Sequence, residues 1–155
     1  MSTIYTTDKE EANLIHWAQS ACSKDKDRPS LMGLYVQEQE VAACDGARLH
    51  IIPLTEILKP FIGKIIRLFG SISVNKIIKV EEIEGNYPNY KEIMPKEMPV
   101  FEIDVSATQL KQALELAAKN KDLSDQRVTL KFYGGTKPFE MIYRDTRGLI
   151  MPMIK

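Results

Sequence analysis

Few residues in this chain have the types and spacing that catalysis requires. His16 and His50 lack a second histidine or cysteine at the H-x-x-x-H or C-x-x-C spacing that brings two metal ligands together. The glycine pair at 134–135 precedes no predicted helix, so no helix N-terminus follows it to hold a phosphate. No serine or cysteine stands in a nucleophile-elbow context. We interpret both histidines as surface or partly buried side chains.

The remaining candidates are three acidic residues close together, Glu81, Glu82 and Glu84. Carboxylates can bind metals, but the solvated edge of a strand explains this group more simply. The sequence therefore predicts a protein that is not an enzyme and has no catalytic residue, metal site or cofactor. A small enzyme with a site dispersed over several loops stays open as an alternative, although no motif supports it.

The chemistry that the sequence does offer is apolar binding by flexible side chains. The segment 148–155 reads G-L-I-M-P-M-I-K and alternates Leu149, Met151 and Met153 around Pro152. A strand that contains proline belongs at a sheet edge, because proline cannot donate a ladder hydrogen bond. Methionine is polarizable and unbranched, so it can adapt to different partners. We predict an edge strand at 149–154 that is either covered or used for docking.

Two similar sets of predicted elements position these residues. Thr7 and Glu10 form a capping box followed by apolar residues at helical spacing, which predicts a helix at about 8–23. Ser106 and Gln109 repeat the capping box before a second helix. Alternating or apolar runs predict the strands. The first set has strands at 31–37, 40–44 and 48–54, and the second has strands at 100–105, 128–133, 139–144 and 149–154.

A connecting segment separates the two sets. Apolar runs at 64–69 and 76–83 predict another hairpin, and a linker rich in proline and asparagine follows. The sequence thus predicts an α+β protein with one domain at 1–155, built from two strand-helix-three-strand repeats. The first repeat spans about 2–54, the hairpin and linker about 55–99, and the second repeat about 100–155.

Composition limits the class of protein further. The 155 residues fit one globular domain, and 21 Lys and Arg balance 21 Asp and Glu, so no overall charge draws the chain to nucleic acid. The absence of a leader pattern and of a long apolar run predicts a cytoplasmic protein without a membrane span. Cys22 and Cys44 are then expected to be reduced, and a disulfide between them is the less favoured alternative.

Four short segments occur in a particular order along the chain. Residues 31–34 read L-M-G-L and residues 41–49 read V-A-A-C-D-G-A-R-L, residues 85–95 read G-N-Y-P-N-Y-K-E-I-M-P, and residues 151–153 read M-P-M. With the repeated unit, they resemble the bacterial β sliding clamp (DNA polymerase III beta subunit) family, whose ring tethers the replicative polymerase to DNA. Clamps carry a similar A-T-D-G-H-R-L turn, where this chain has Cys44 and Ala47, a G-x-F-P-D-Y-x-x-x-x-P linker and a terminal M-P-M.

The resemblance implies a DNA-clamp fold in a shortened, single-domain form, and a non-catalytic role in DNA replication as a processivity factor. It also implies an apolar pocket for a short peptide of a DNA polymerase or another clamp-binding protein. Matched by motif, the pocket residues are Leu31, Cys44, Leu49, Pro88, Ile93, Leu149, Met151 and Met153. The alternative for these residues is ordinary core packing.

Double-stranded DNA is a weaker expectation from the same resemblance. Clamp helices line the bore of the ring, where cations meet phosphates without reading sequence. The corresponding cations here are Lys24, Lys26, Arg28, Lys111, Lys119 and Lys121. Acidic residues alternate with them, so a solvated charged surface is the competing interpretation.

Assembly follows from the number of domains. Clamp rings contain six domains, so a one-domain subunit would close a ring only as a homo-oligomer with head-to-tail interfaces. The alternative is a clamp-like adaptor or decoy that binds clamp ligands without encircling DNA.

Overall fold

The computed structural model describes residues 2–122 and 124–153. The chain divides into two compact units, Met1–Ile93 and Met94–Lys155. Helices and antiparallel sheets occur in both units, which confirms the predicted α+β class. The single domain that the sequence predicts for 1–155 stays a prediction.

The first unit is a six-stranded antiparallel sheet with one helix, α1, packed on one face. The strand order is β1-β6-β5-β2-β3-β4, and β5 and β6 form the predicted connecting hairpin. The elements of this unit are β1 (Ser2–Ile4), α1 (Lys9–Gln19), β2 (Leu34–Val36), β3 (Glu40–Cys44), β4 (Leu49–Pro53), β5 (Ile65–Phe69) and β6 (Ile78–Ile83), with 3-10 helices at Pro29–Met32, Glu56–Phe61 and Tyr90–Glu92.

The core of the first unit lies between α1 and the sheet. Ala12, Ile15 and Ala18 form the buried stripe of α1, at the spacing of one helix face. Alternate residues of the central strands meet this stripe, because successive side chains of a strand point to opposite faces. The strand residues in this core include Leu34, Val36, Val41, Ala43, Ile52, Ile66, Leu68, Ile78 and Val80.

The start of α1 differs from the predicted capping box. Asp8, not Thr7, is the N-cap, and its carboxylate accepts from the backbone N–H groups of Glu10 and Glu11. The Asp8 N–H in turn donates to Thr6 Oγ1 at 3.0 Å, and the Thr6 hydroxyl donates to Glu11 Oε2 at 2.6 Å. This bond to Thr6 holds the chain so that the Asp8 side chain faces the free helix N–H groups.

The corrected cap gives a direct test. Asp8→Ala is expected to lower the free energy of unfolding by about 0.5–2 kcal/mol, because two helix N–H groups lose their acceptor. Thr7→Ala, a matched control at the exposed neighbouring position, is expected to change it little. Urea denaturation followed by the fluorescence of Trp17 measures both values. Equal losses in the two variants would contradict the assignment.

The second unit is a three-stranded antiparallel sheet, ordered β7-β8-β9, with one helix. It contains α2 (Ala107–Ala118), a 3-10 helix at Ser124–Gln126, β7 (Thr129–Lys131), β8 (Phe139–Tyr143) and β9 (Thr146–Ile150). Ser106 caps α2 as predicted, since its hydroxyl accepts from the Gln109 N–H. The buried apolar side chains are Ala117, Phe139, Met141, Tyr143 and Ile150.

The predicted strand at 100–105 does not form. The alternation of Phe101, Ile103 and Val105 is present, but no strand of the second unit pairs with this segment. Its backbone instead passes the turn at Gly135, where an added Cβ would collide with the Glu102 carbonyl oxygen. Phe101 packs against Phe132 with ring centroids 5.9 Å apart. A side-chain contact therefore replaces the hydrogen-bonded ladder.

Several predicted elements are shorter than expected or shifted, and one strand was missed. The helix predicted at about 8–23 ends at Gln19, and the strand predicted at 128–133 covers Thr129–Lys131. The final strand ends at Ile150, and the backbone N–H of Met153 donates to the Asp104 carbonyl oxygen at 2.7 Å without strand geometry. Ile154, the last residue of the predicted strand, lies outside the described residues. The predicted strand at 31–37 is a 3-10 helix followed by β2. Strand β1 had no sequence signal of its own and exists through its pairing with β6.

A membrane-spanning helix would need a long apolar stretch. Across the described residues, no helix reaches the length and hydropathy that crossing a bilayer requires.

Candidate functional site

The linker at the end of the first unit is fixed to the sheet by two tyrosines. The Tyr87 ring stacks on Tyr35 of β2 with centroids 5.0 Å apart, and Tyr90 meets Tyr87 edge-on at 6.4 Å. The buried Tyr90 hydroxyl donates to Glu40 Oε1 and accepts a hydrogen bond from Gln37 Nε2. These contacts hold residues 87–90 over the ends of β2 and β3.

The linker covers the face of the sheet that does not carry α1. Tyr35 pairs with Ala42 across β2 and β3, so both side chains lie on one face, and Ala42 is buried outside the α1 core. Cys44 lies two residues further along β3 and pairs with Leu49 of β4. The two residues predicted from the D-G turn, Cys44 and Leu49, therefore lie half-buried on the linker face.

Leu31 and Pro88 flank this area in the first unit. Leu31 is buried in the 3-10 helix Pro29–Met32, outside the α1 core. The same helix borders the start of the linker, because Ser30 Cβ would lie 3.8 Å from a Cβ at Gly85. Pro88 is exposed and lines a shallow cleft of about 220 Å³ with Tyr35, Gln37 and the linker residues 87–91. Leu31, Cys44 and Leu49 do not line that cleft.

Ile93 ends the first unit as an exposed side chain after the 3-10 helix Tyr90–Glu92.

Sequence reasoning did not assign Tyr35, Tyr87 and Tyr90 to the site. Tyr87 and Tyr90 stand within the linker motif and could have been found there, but Tyr35 meets Tyr87 only in the folded chain and had no local signal.

Burial controls the ionisation of the groups near the linker. It raises the pKa of the Tyr87 phenol, and the neighbouring Cys44 and Cys22 add to this effect. Burial also raises the pKa of the Cys22 thiol to about 12 and is the main cause that raises the pKa of Tyr90 to about 12. Both cysteines are free thiols. At neutral pH Tyr87, Tyr90 and the Cys22 thiol are therefore uncharged. The charges beside them include Glu40 and Lys91, which pair at 3.4 Å.

The predicted pocket residues of the second unit are on its surface. Leu149 in β9 is 71% exposed, and Met151 and Met153, beyond the end of β9, are 62% and 57% exposed. The core of this unit lies on the other face of the sheet, with Phe139, Met141 and Tyr143 of β8 buried there. Leu149, Met151 and Met153 therefore do not pack the core of their own unit.

A charged cluster surrounds Glu140 on the same face as Leu149. Glu140 is the buried residue between Lys131 and Leu149, its direct partners across β7 and β9. Arg147 donates from both Nε and Nη2 to Glu140 Oε1, and the Tyr133 hydroxyl donates to Oε2 at 3.2 Å. Lys131 Nζ is 3.9 Å from Oε2. The Arg147 hydrogen bonds are the main cause that holds the pKa of Glu140 below its usual value.

This lowered pKa predicts how the second unit responds to acid. A carboxyl group with a lower pKa in the folded state adds stability above the pKa of the unfolded chain, and this stability is lost as pH falls through the folded pKa. We expect the wild-type protein to lose more stability between pH 6 and pH 3 than the Glu140→Gln variant. Thermal denaturation followed by far-ultraviolet circular dichroism measures the difference. The same pH dependence in both proteins would contradict the role of this ion pair.

The predicted DNA-facing cations are exposed in both units. Lys24, Lys26 and Arg28 follow α1, but Arg28 pairs with Asp25 at 3.0 Å. Hydrogen bonds from the Asp27 N–H and then Arg28 lower the pKa of Asp25, which keeps this negative charge beside the cations. In the second unit Lys111 lies on α2, Lys119 is its C-cap and Lys121 follows.

The two histidines lie on different elements of the first unit. His16 is exposed on α1, whereas His50 of β4 stacks on Trp17, with ring centroids 3.9 Å apart. The His50 Nδ1 lies 2.8 Å from the Trp17 carbonyl oxygen. Within residues 2–122 and 124–153, no group of three or more His, Cys, Asp or Glu side chains is placed to hold a metal ion.

Solved structures show what this fold is similar to. The DNA polymerase III beta sliding clamp of Bartonella birtlesii, bound to griselimycin, matches with a TM-score of 0.67 and 14% identity over 94% of this chain and 50% of that clamp. The C. crescentus beta sliding clamp matches with a TM-score of 0.66 and 19% identity over 98% of this chain and 50% of that clamp. The Helicobacter pylori beta clamp, bound to a DNA ligase peptide, matches with a TM-score of 0.50 and 13% identity over 98% of this chain and 65% of that clamp.

These matches define the fold class. The chain has the fold of the bacterial DNA polymerase III beta sliding clamps, as its motifs predicted, and it spans about half the length of the first two clamps. No family model and no curated protein sequence matches it.

Proposed function

We propose that this protein is a non-catalytic accessory of DNA replication that binds short apolar peptides of partner proteins. The observation that carries the proposal is the exposure of Leu149, Met151 and Met153, which occupy clamp-like motif positions and do not pack the core of their unit. Large exposed apolar side chains close together are typical of a binding surface.

The solved clamps support this choice of ligand. The clamp of Helicobacter pylori was solved with a DNA ligase peptide, and the clamp of Bartonella birtlesii with griselimycin. Both share the fold of this chain. We infer that a peptide of the Q-x-x-L-F type is the matching ligand here, with Leu149, Met151 and Met153 of the second unit as its exposed apolar contacts.

Simple energetics set the expected affinity. A buried leucine or phenylalanine anchor contributes about 1.5–3 kcal/mol. Two or three anchors then give a dissociation constant on the order of micromolar, once the cost of ordering the peptide is included. Methionines at the site repack around different anchors, so several partner sequences are expected to bind.

Fluorescence anisotropy of a labelled Q-x-x-L-F peptide tests the proposal. Titration with this protein is expected to give saturable binding in the micromolar range. The matched control is the same peptide with its leucine and phenylalanine replaced by alanine, which is expected to bind far more weakly. No detectable binding of the parent peptide at high micromolar protein would overturn the proposal.

Ring formation and DNA encirclement form a separate proposal. In it, several copies close head-to-tail around double-stranded DNA. The cations expected to face the phosphates are Lys24, Lys26, Arg28, Lys111, Lys119 and Lys121. A second candidate is an adaptor that binds clamp ligands without surrounding DNA, and the pairing of Arg28 with Asp25 favours it, because that cation is already neutralised. Size-exclusion chromatography with light scattering separates them. A hexamer-scale particle supports the ring, and a monomer supports the adaptor.

A further inference from the structure

Two open clefts meet over Tyr35 at one end of the sheet of the first unit. One cleft, of about 520 Å³, extends toward the turn between β2 and β3, and the other, of about 550 Å³, extends toward the end of β6. Tyr35 and Gly63 line both clefts, so the two form one continuous groove. The eight predicted pocket residues do not line this groove, and Cys44 and Leu49 lie at the other end of β3 and β4.

The end of the groove beside the β2–β3 turn carries one carboxylate in excess. Lys91 Nζ lies 3.4 Å from Glu40 Oε1, and the same oxygen accepts from the Tyr90 hydroxyl. Glu38 is exposed in the turn and forms no ion pair with any residue that the structure describes. Ile62, which is 42% exposed, adds an apolar contact at this end.

The end beside β6 has the same balance of charge. Lys64 Nζ lies 2.7 Å from Glu82 Oε1. Glu84 is exposed just after β6 and, within the described part of the chain, has no cationic partner of its own. Four carboxylates and two ammonium groups therefore line the whole groove, which leaves an excess of two negative charges, one at each end.

The sheet sets the separation of these two ends. Strands β6, β5, β2 and β3 are neighbours in this order, and adjacent strands lie about 4.8 Å apart. Two to three strand spacings give a separation of about 10–14 Å. An extended peptide advances about 3.3 Å per residue, so two side chains four positions apart are separated by about 13 Å and point to the same side.

We propose that this groove binds an extended segment of a partner protein that carries two basic residues four positions apart. Charge complementarity is the argument for a basic partner, because its two cations meet Glu38 and Glu84, the carboxylates without an ion pair. Tyr35 and Ile62 contact the apolar atoms between the two cations. The groove belongs to the first unit, so it is a second binding surface in addition to the exposed apolar residues of the second unit.

A titration with short peptides gives the first test. The probe is a fluorescein-labelled peptide with the core R-A-L-A-R, and fluorescence anisotropy at low salt is expected to show saturable binding on the order of 100 μM. An analogue with citrulline in place of both arginines keeps the shape without the charge and is expected to bind about 10-fold more weakly. The rearranged core R-R-A-L-A keeps the charge with the wrong spacing and is expected to bind about 3-fold more weakly. Equal affinity of R-A-L-A-R and either control, or no saturable binding at millimolar protein, would overturn the inference.

Protein variants assign the binding to the two ends of the groove. Glu38→Gln and Glu84→Gln are each expected to weaken binding of R-A-L-A-R about 2- to 5-fold, and the double variant about 10-fold. Both side chains are exposed, so the variants are expected to keep the fold. Glu10→Gln, at an exposed position of α1 on the other side of the sheet, is the matched control and is expected to bind like the wild type. Unchanged affinity in the double variant, or an equal loss in Glu10→Gln, would overturn the assignment.

Met151→Asp separates this inference from the proposed function. Because Met151 belongs to the second unit, this variant is expected to bind R-A-L-A-R with wild-type affinity while it loses the Q-x-x-L-F peptide. Loss of R-A-L-A-R binding in Met151→Asp would overturn the inference of a second surface. Failure of the Q-x-x-L-F peptide alone to bind the wild-type protein would overturn the proposed function and leave this groove standing.

Discussion

Met151→Asp is expected to abolish binding of a Q-x-x-L-F peptide while leaving the circular dichroism spectrum unchanged. Met151 is 62% exposed and lies outside the strands, so aspartate at this position stays hydrated in the free protein. A bound peptide would cover the carboxylate with an apolar anchor and remove its water without supplying a partner. The cost of a few kcal/mol corresponds to a loss of affinity of about 100-fold or more.

A second methionine of the same unit provides the control for this result. Met98 is 90% exposed and is not among the predicted pocket residues. Met98→Asp adds the same charge at an exposed site of the second unit and is expected to bind the peptide like the wild type. Anisotropy titrations of the three proteins measure the difference. Wild-type affinity in Met151→Asp, or an equal loss in Met98→Asp, would contradict a specific role for Met151.

Ile15→Ala is expected to have the largest effect on stability. Ile15 is completely buried at the centre of the apolar stripe of α1, between Ala12 and Ala18. Alanine leaves a cavity that two neighbouring alanines are too small to fill, so the first unit is expected to lose about 2–5 kcal/mol of unfolding free energy. The same mutation is expected to leave the second unit folded, because α1 belongs to the core of the first unit.

The chain contains a built-in probe for this measurement. Trp17 is the single tryptophan, and it belongs to α1 of the first unit, where it stacks on His50. Its fluorescence in a urea titration therefore follows the unfolding of that unit. Asn13→Ala, at an exposed position of the same helix, is the control and is expected to change the free energy by no more than about 0.5 kcal/mol. Equal midpoints for Ile15→Ala and Asn13→Ala would contradict this account of the core.

Sequence reasoning succeeded where the determining contacts are local. The Ser106 cap and the β5–β6 hairpin depend on residues close together in the chain, and both are present in the structure. It failed where a distant partner decides the outcome. β1 exists only because β6 pairs with it, and residues 100–105 have a strand pattern but no strand partner in their unit. The cap of α1 is Asp8 and not the predicted Thr7, and the hydrogen bonds of Thr6 hold the chain in that position.

The candidate site shows the same limit. Its apolar residues could be named from short motifs, since motif order needs no three-dimensional information. The stacking of Tyr35 on Tyr87 and the charged cluster at Glu140 could not be predicted from the sequence. Each joins residues from separate strands or from a strand and the linker. The exposure of Leu149 and Met151 also depends on which face of the β7–β9 sheet covers the core.

Methyl nuclear magnetic resonance of the methionine side chains tests the central claim most directly. The ε-methyl signals of Met151 and Met153 are expected to shift in a saturable way as a Q-x-x-L-F peptide is added. The signal of Met141, which is buried in the core of the second unit, is expected to stay in place. This result would place the bound peptide at the predicted pocket residues. Unshifted Met151 and Met153 signals at peptide concentrations that saturate binding, or no binding at all, would contradict the account.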